Sequence, residues 1–192
     1  MTRTLLTLCL ATALAAGCGG DGDGNGAAAS NEAAPSEQDR SETMGEALES
    51  AADHSTFMEA VQAAGLTETL KGAGPYTIFA PTNAAFAAIP ADARAGLMAP
   101  EQRQQLVGLL RYHIVPGTVT AEDLRRAVEQ GEGNRAELAT TAGLTLSLSR
   151  EGEAIVIGDG GGGSARLTAP DQIHSNGIVH GIDGVLMPAA GE

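Results

Sequence analysis

Hydrophobic residues follow two different spacings along the chain, one typical of helices and one typical of strands. In residues 106–113 the apolar positions recur at i, i+3, i+4 and i+7, which predicts a helix with one buried face. Residues 144–149 instead alternate Leu with Thr or Ser, as in a half-buried strand. Most helical patterns precede Gly131 and most strand patterns follow it, so the chain is predicted to have an α+β fold.

Polar residues and one glycine mark predicted helix ends. Thr43, with Glu46 three residues later, has the spacing of a capping box, in which each side chain bonds the other residue's backbone N–H. Ser55 and Thr120 each precede an apolar-periodic segment and are predicted N-caps. Gly65 is predicted to end the second helix, because glycine readily adopts the left-handed conformation found there.

A strand followed directly by a helix is predicted within residues 74–90. The run Tyr76–Phe79 is β-branched and aromatic, which favours a strand, and Pro81 keeps the residue before it extended. Thr82 or Asn83 can then cap a short Ala-rich helix. We expect one hydrophobic core that contains Phe79, Phe86 and Ile178.

Two glycine-containing segments are predicted turns. Asn176-Gly177 is a hairpin signal that leads into a strand at Ile178–Ile182. The run Gly158–Gly163 fits the dinucleotide-binding pattern G-x-G-x-x-G, but that site requires a helix to begin at the glycines. The residues that follow look like a strand, so we interpret the run as a hairpin loop.

Residues 1–17 have the composition of an export signal. Arg3 is followed by an apolar run, Leu5–Ala16, that is short for a membrane-spanning helix. The run ends in Leu-Ala-Ala-Gly-Cys18, which resembles a bacterial lipoprotein signal. That resemblance implies cleavage before Cys18 and lipidation of this cysteine, which would anchor the protein to a membrane. An ordinary secretory signal with a chance cysteine is the alternative.

Residues 18–42 are predicted to form a disordered tether. From residue 19 to residue 40 there is no Val, Ile, Leu, Phe or Tyr, so the segment buries too little apolar surface to become ordered. Asp21–Glu32 matches the spacing of a calcium-binding EF-hand loop. Because an EF-hand needs an amphipathic helix on each side and none is predicted, we interpret the match as part of the linker.

Charge and cysteine content exclude several classes of function. The 192 residues carry a formal net charge of −13 at pH 7, which disfavours nucleic acid as a partner. Cys9 and Cys18 are the only cysteines, so the folded part is expected to lack disulfides, thiolate nucleophiles and Cys-ligated metals. The sequence also has no G-x-S-x-G, H-E-x-x-H or P-loop motif. We therefore expect a protein that is not an enzyme and has no cofactor.

One group of residues carries possible metal-binding or acid–base chemistry: Asp171, His174, His180 and Asp183. Spacings of three and six along extended chain rarely converge on one ion, so no metal site is predicted. An enzyme that uses His174, His180 and Asp183 is the least favoured function. It would require these side chains to lie within hydrogen-bonding reach of one another in an open cleft.

Three segments together resemble the fasciclin domain: Tyr76–Phe86, Leu110–Gly117 and Ser175–Pro188. The resemblance implies a fasciclin-like fold over residues 43–190, with N-terminal helices packed on an antiparallel seven-stranded β-wedge. Gly181 departs from the bulky aliphatic residue usual at its position, so looser packing is expected there. The residues of the motifs expected to be structural are Phe79, Pro81, Thr82, Asn83, Phe86, Asn176, Gly177, His180 and Pro188.

The same resemblance suggests candidate recognition residues. Tyr112-His113 resembles the segment through which some animal fasciclin domains are proposed to contact integrins, and Ile182-Asp183 resembles a second such element. The alternative is that these residues are structural. His113 lies on the apolar face of its predicted helix, and His180 shares a strand face with Ile182.

The resemblance and the export signal together imply a lipid-anchored module of a bacterial periplasm or cell surface. Its expected function is adhesion or protein interaction, as a monomer that binds an unknown protein or polysaccharide and is held to the membrane through Cys18. Its acidic surface would favour basic partners, or polysaccharides reached through bridging cations. The alternative function is a carrier of a small apolar or lipid molecule in a groove between the wedge and the helices.

Overall fold

The computed structural model describes residues 41–188, which contain seven α-helices, two short 3₁₀ turns and seven β-strands. The predicted signal peptide, the lipidation site at Cys18 and the EF-hand match lie outside these residues. The helices are α1 (Met44–Ser50), α2 (Ser55–Ala64), α3 (Thr67–Lys71), α4 (Asn83–Ala87), α5 (Ala91–Leu97), α6 (Arg103–Tyr112) and α7 (Ala121–Gln130), with 3₁₀ turns at Ala52–His54 and Pro100–Gln102. The strands are β1 (Tyr76–Pro81), β2 (Ile114–Pro116), β3 (Arg135–Ala139), β4 (Thr145–Glu151), β5 (Ala154–Gly158), β6 (Ser164–His174) and β7 (Gly177–Ile182). No helix within the described residues is both long and apolar enough to cross a membrane.

The seven strands form one sheet in the order β2-β1-β7-β6-β5-β4-β3, which confirms the predicted α+β class and strand number. Five of the six neighbouring pairs are antiparallel, as predicted, but β1 runs parallel to β7. In that pair Tyr76 lies opposite Gly177, and Pro81 lies opposite Ile182. Parallel strands need a long connection between them, and here the connection contains all five of the other strands.

Strand β1 separates two hydrophobic clusters, because successive residues of a strand point to opposite faces of the sheet. Ile78 and Ala80 belong to a first cluster, with buried side chains of α1–α4 and α6. Phe79 belongs to a second cluster, with side chains of α7, β4 and β5. Phe86 of α4 lies in the first cluster, so the prediction of a single core that contains both phenylalanines is wrong. Ile178 is buried, as expected.

Three of the predicted helix-end signals are confirmed. The Thr43 hydroxyl accepts the Glu46 N–H at 3.3 Å, and the Glu46 carboxylate accepts the Thr43 N–H at 2.9 Å, which completes the capping box of α1. Thr120 caps α7 through the same reciprocal pair of bonds with Asp123. Gly65 ends α2 in the left-handed conformation, with φ of 75°.

The predicted cap at Ser55 is wrong, and a residue from another part of the chain takes its place. Ser55 is the first residue of α2, and its side chain does not cap that helix. Asn83 supplies the missing acceptor, since its Oδ1 accepts the Thr56 N–H at 3.0 Å while its Nδ2 donates to the Ala52 carbonyl at 2.8 Å. Thr82 is therefore the residue that caps α4, by accepting a backbone N–H three residues later at 3.3 Å.

The hairpin predicted at Asn176-Gly177 joins β6 to β7, but its turn residues are Ser175 and Asn176, since Gly177 is the first residue of β7. The Asn176 side chain also reaches back to the N-terminal helices. Its Oδ1 accepts the Met44 N–H at 2.8 Å, and its Nδ2 donates to the carbonyls of Leu70 at 2.8 Å and Gly72 at 2.9 Å. One amide therefore joins the start of α1 and the end of α3 to the hairpin.

Two glycines allow β7 to approach its neighbours closely. A Cβ on Gly177 would overlap the carbonyl oxygen of Tyr76 on β1, so a larger residue does not fit there. Gly181 lies opposite Ala169 of β6, and a Cβ added to it would stand 3.0 Å from the Ala169 Cβ. The looser packing expected at Gly181 is therefore wrong, because Ala169 fills the space that a larger side chain would occupy.

Replacing Asn176 with Ala is expected to lower the free energy of unfolding by about 3 kcal/mol, because one N–H and two carbonyls would lose their partner. Urea unfolding followed by circular dichroism measures the change. The control is Gln104→Ala on the exposed face of α6, which is expected to change stability by less than about 0.5 kcal/mol. A loss at Asn176 no larger than that of the control would contradict the role assigned to this side chain.

Candidate functional site

The predicted recognition segment Tyr112-His113 lies inside the protein. Tyr112 is 1% exposed and His113 is 0% exposed, because the apolar face of α6 packs against the sheet and the other helices. Ile182, from the second predicted element, is also fully buried, whereas its neighbour Asp183 is exposed. Direct contact between a partner and the three buried side chains would require the domain to open, and their part in recognition stays a prediction.

Both ring nitrogens of His113 are hydrogen-bonded to backbone. Nδ1 lies 2.8 Å from the Leu109 carbonyl, and Nε2 lies 3.1 Å from the Leu186 N–H. Since an N–H group can only donate, Nε2 is the acceptor and Nδ1 carries the proton, so the ring is neutral. Burial lowers the pKa of His113 to about 4. This ring joins α6 to the segment that follows β7.

The Tyr112 hydroxyl joins α6 to the glycine run after β5. It donates to the Thr145 carbonyl at 3.1 Å and accepts the Gly160 N–H at 3.1 Å. Burial raises the pKa of Tyr112, which keeps its hydroxyl protonated at neutral pH. The glycine run connects the antiparallel strands β5 and β6, which confirms its interpretation as a hairpin loop.

The loop is held by the carboxylate of Asp159. Its Oδ1 accepts the N–H groups of Gly161 at 3.1 Å and Gly163 at 2.6 Å, and its Oδ2 accepts the Met187 N–H at 2.9 Å. Both carboxylate oxygens of Asp159 are therefore bonded to backbone N–H groups of the protein.

His180 is a second buried histidine with backbone partners on both ring nitrogens. Nε2 donates to the Val119 carbonyl at 2.8 Å, and Nδ1 accepts the Asp171 N–H at 3.1 Å. The ring stacks on Phe79 of the adjacent strand, with 5.5 Å between ring centroids. Burial lowers the pKa of His180, so this ring too is neutral at pH 7.

The possible metal or acid–base residues do not converge. The Asp171 carboxylate accepts the Ala121 N–H at the start of α7, at 2.8 Å, and the Asp183 carboxylate accepts the Arg166 N–H at 2.6 Å. His174 is partly buried on β6. Within residues 41–188 no group of three or more His, Cys, Asp or Glu side chains is arranged to hold a metal ion.

A pocket that the sequence analysis did not locate lies between α3 and the β1–β2 edge of the sheet. Its volume is about 220 Å³, and its interior is formed mainly by Leu66, Leu70, Ile78 and Ile114. The polar residues that line it are Thr69, Tyr76, Arg111 and Thr141. The sequence analysis expected a possible ligand groove between the wedge and the helices but did not identify which residues would line it. The empty space arises where segments distant along the chain meet.

Comparison with known proteins gives consistent matches. A family model described as Fasciclin domain matches residues 52–188. Protein sll1483 of Synechocystis sp. is 40% identical over 134 residues, which cover 70% of this chain and 67% of that protein. Transforming growth factor-beta-induced protein ig-h3 of Sus scrofa is 33% identical over 136 residues, which cover 71% of this chain but 18% of that protein.

The fold also matches a solved structure. The FAS1 domain pair from the insect cell adhesion molecule fasciclin I superposes with a TM-score of 0.66 at 22% sequence identity. The match covers 77% of this chain and 51% of the domain pair, so the chain spans about half of that structure. At this level of identity the likeness shows the fold.

Stability is expected to fall as the pH is lowered from 6.5 towards 4. In this window the unfolded chain protonates His113 near its ordinary pKa of 6.5, whereas the folded protein does not until about pH 4. His113 alone is expected to lower the free energy of unfolding by about 2 kcal/mol between pH 7 and pH 5, and His180 acts in the same direction. Urea unfolding at constant ionic strength measures the slope.

The histidine contribution can be separated from that of the carboxylates. Hydrogen bonds with Thr43 lower the pKa of Glu46 from 4.5, so the stability that it contributes is lost only as the pH falls below that value. Nitrogen-15 shifts of the His113 ring should report the neutral Nδ1–H tautomer at pH 6. A titration midpoint of His113 near 6.5, or equal stability at pH 7 and pH 5, would contradict the buried neutral ring.

Proposed function

This chain belongs to the fasciclin-domain family, and from that premise we propose that it is a lipid-anchored, non-enzymatic module outside the cytoplasm that mediates adhesion. The family assignment confirms the prediction made from the three sequence segments. It is also the single observation that carries the proposal, because an insect cell adhesion molecule is built with the same fold.

The chemistry of the described residues supports a binding role over catalysis. His113 and His180 are buried and neutral, and each ring bonds to backbone groups through both nitrogens. Their hydrogen bonds connect elements of the fold, which is a structural use of residues that could otherwise transfer protons. Asp159, Asp171 and Asp183 likewise accept backbone N–H groups.

Electrostatics indicates the type of partner. A formal net charge of −13 favours a basic protein surface, or a polysaccharide bridged by cations, over an anionic polymer. Attraction of this kind weakens as salt screens the charges, so adhesion should decrease when ionic strength rises from about 0.05 M to about 0.5 M. Lipidation at Cys18, with the tether predicted from the sequence after it, would place the domain where it can reach such a partner.

A second candidate function is the binding of a small ligand, and the pocket beside α3 is the observation that favours it. The pocket is lined mainly by Leu and Ile side chains, as expected for a site that takes an apolar molecule. This function is compatible with adhesion, because the pocket occupies only a small part of the domain.

Replacing Cys18 with Ser is expected to abolish labelling of the protein by a fatty-acid precursor in cells that express the full chain. Loss of the anchor should also release the protein from the membrane fraction and reduce cell attachment to a surface coated with a basic matrix protein. Cys9→Ser is the matched control, because Cys9 lies in the predicted signal peptide and should leave labelling intact. Persistent labelling of the Cys18 variant would refute the anchor, and unchanged attachment of unanchored cells would refute anchored adhesion.

Replacing Asp183 with Asn tests recognition at the one exposed member of the four predicted recognition residues. The amide oxygen can still accept the Arg166 N–H, so the fold should persist while one negative charge is lost. If Asp183 contacts a basic partner, attachment should weaken by about three- to tenfold. Asp92→Asn, an equal change of charge on exposed α5, should have little effect. Equal effects of the two variants would assign the loss to overall charge and reject a specific contact at Asp183.

A further inference from the structure

The pocket between α3 and the β1–β2 edge has room for a compact organic group. Leu66 and Leu70 form one side, Ile78 and Ile114 form the sheet side, and the volume is about 220 Å³. For comparison, an engineered apolar cavity of about 150 Å³ is large enough to hold benzene. An aromatic ring or a short branched chain therefore fits this space.

A basic residue lines the same pocket. Arg111 lines it, is exposed, and lies next to last in α6. Several other basic side chains of residues 41–188 have partners, such as Lys71 with Glu49 at 2.9 Å and Arg166 with Glu151 at 2.7 Å. In that part of the chain the Arg111 guanidinium has neither an ion pair nor a hydrogen bond.

The polar side of the pocket is built from three segments that are hydrogen-bonded together. The Thr141 hydroxyl donates to the Arg111 carbonyl at 2.8 Å, and the Thr141 N–H donates to the Ile114 carbonyl at 2.8 Å. The backbone that carries Arg111 is therefore held against β2 and the turn before β4. This arrangement places the base of the arginine side chain beside the pocket.

We propose that the pocket binds a small organic carboxylate, with its apolar body among the Leu and Ile side chains and its carboxylate paired with Arg111. A guanidinium presents two parallel N–H groups that match the two carboxylate oxygens. The acidic chain favours a singly charged anion over a phosphate dianion, because each added negative charge increases the repulsion. The inference rests on the small-ligand function proposed above and names the class of ligand.

Titration of the purified full chain with benzoate, benzyl alcohol and inorganic phosphate, followed by amide NMR, tests the proposal. Benzoate and benzyl alcohol are similar in size and differ in charge. Benzoate should cause saturable shifts at Thr69, Tyr76 and Thr141, whereas benzyl alcohol should bind at the same place about tenfold more weakly. Phosphate should cause no saturable shift at these residues.

Replacing Arg111 with Gln should weaken benzoate binding by about tenfold and leave benzyl alcohol binding unchanged. The fold should persist, because the Arg111 side chain is exposed and has no polar partner among the described residues. Arg125→Gln is the matched control, since it removes the same charge from an exposed arginine of α7 away from the pocket. Thr69→Phe, at an exposed position that lines the pocket, should weaken the binding of both ligands.

The possible results distinguish failure of the carboxylate assignment from failure of the small-ligand function on which it rests. Equal affinity for benzoate and benzyl alcohol, or benzoate binding that is insensitive to Arg111→Gln, would overturn the carboxylate assignment and leave a small-ligand function in place. Saturable binding of neither compound would overturn both. Equal weakening by Arg111→Gln and Arg125→Gln would also overturn the assignment, because only the overall charge would then matter.

Discussion

The fold depends on the parallel pairing of β1 with β7 and on the burial of both faces of this pair. Ile78 and Val179 contribute to the first cluster on one face, while Phe79 and Ile182 contribute to the second on the other. A strand covered on both sides can expose no polar group, so each polar side chain there needs an internal partner. Thr77, fully buried on β1, has two, since its hydroxyl donates to the Gly117 carbonyl at 2.8 Å and accepts the Val119 N–H at 2.9 Å.

This constraint explains how the buried histidines and the partly buried asparagines of the motifs are used. Asn83 and Asn176 bond the N-terminal helices to the strand that precedes α4 and to the last hairpin. His180 bonds a loop to the central strand β7, and His113 bonds the end of α6 to the segment that follows β7. Each of these side chains bonds backbone groups that secondary structure leaves unpaired, and so determines how one element is positioned against another. The histidines and asparagines of the motifs, which could suggest chemistry, here make hydrogen bonds that hold the fold together.

The outcomes for individual residues show where sequence reasoning succeeds. Thr43, Thr120 and Gly65 mark helix ends in the structure because a cap involves residues only three or four positions apart. The alternation after Leu144 and the hairpin at Asn176-Gly177 are equally local, and both are present. Ser55 is the first residue of α2 and not its cap, and the Thr56 N–H is accepted by Asn83, which follows β1 in the chain. Phe79 and Phe86 were predicted to share one core because sequence spacing does not show that the sheet lies between them.

The sequence by itself determined the family, the α+β class and several helix ends, since each of these is encoded in spacings of a few residues or in short motifs. Only the tertiary structure decided that β1 pairs in parallel with β7, that Tyr112, His113 and Ile182 are inside while Asp183 is outside, and that Arg111 stands unpaired beside an apolar pocket. The physical reason is that pairing, burial and empty space depend on contacts between segments far apart in the chain, such as Met44 and Asn176, which are 132 residues apart. The spacing of neighbouring residues in the sequence does not encode those contacts.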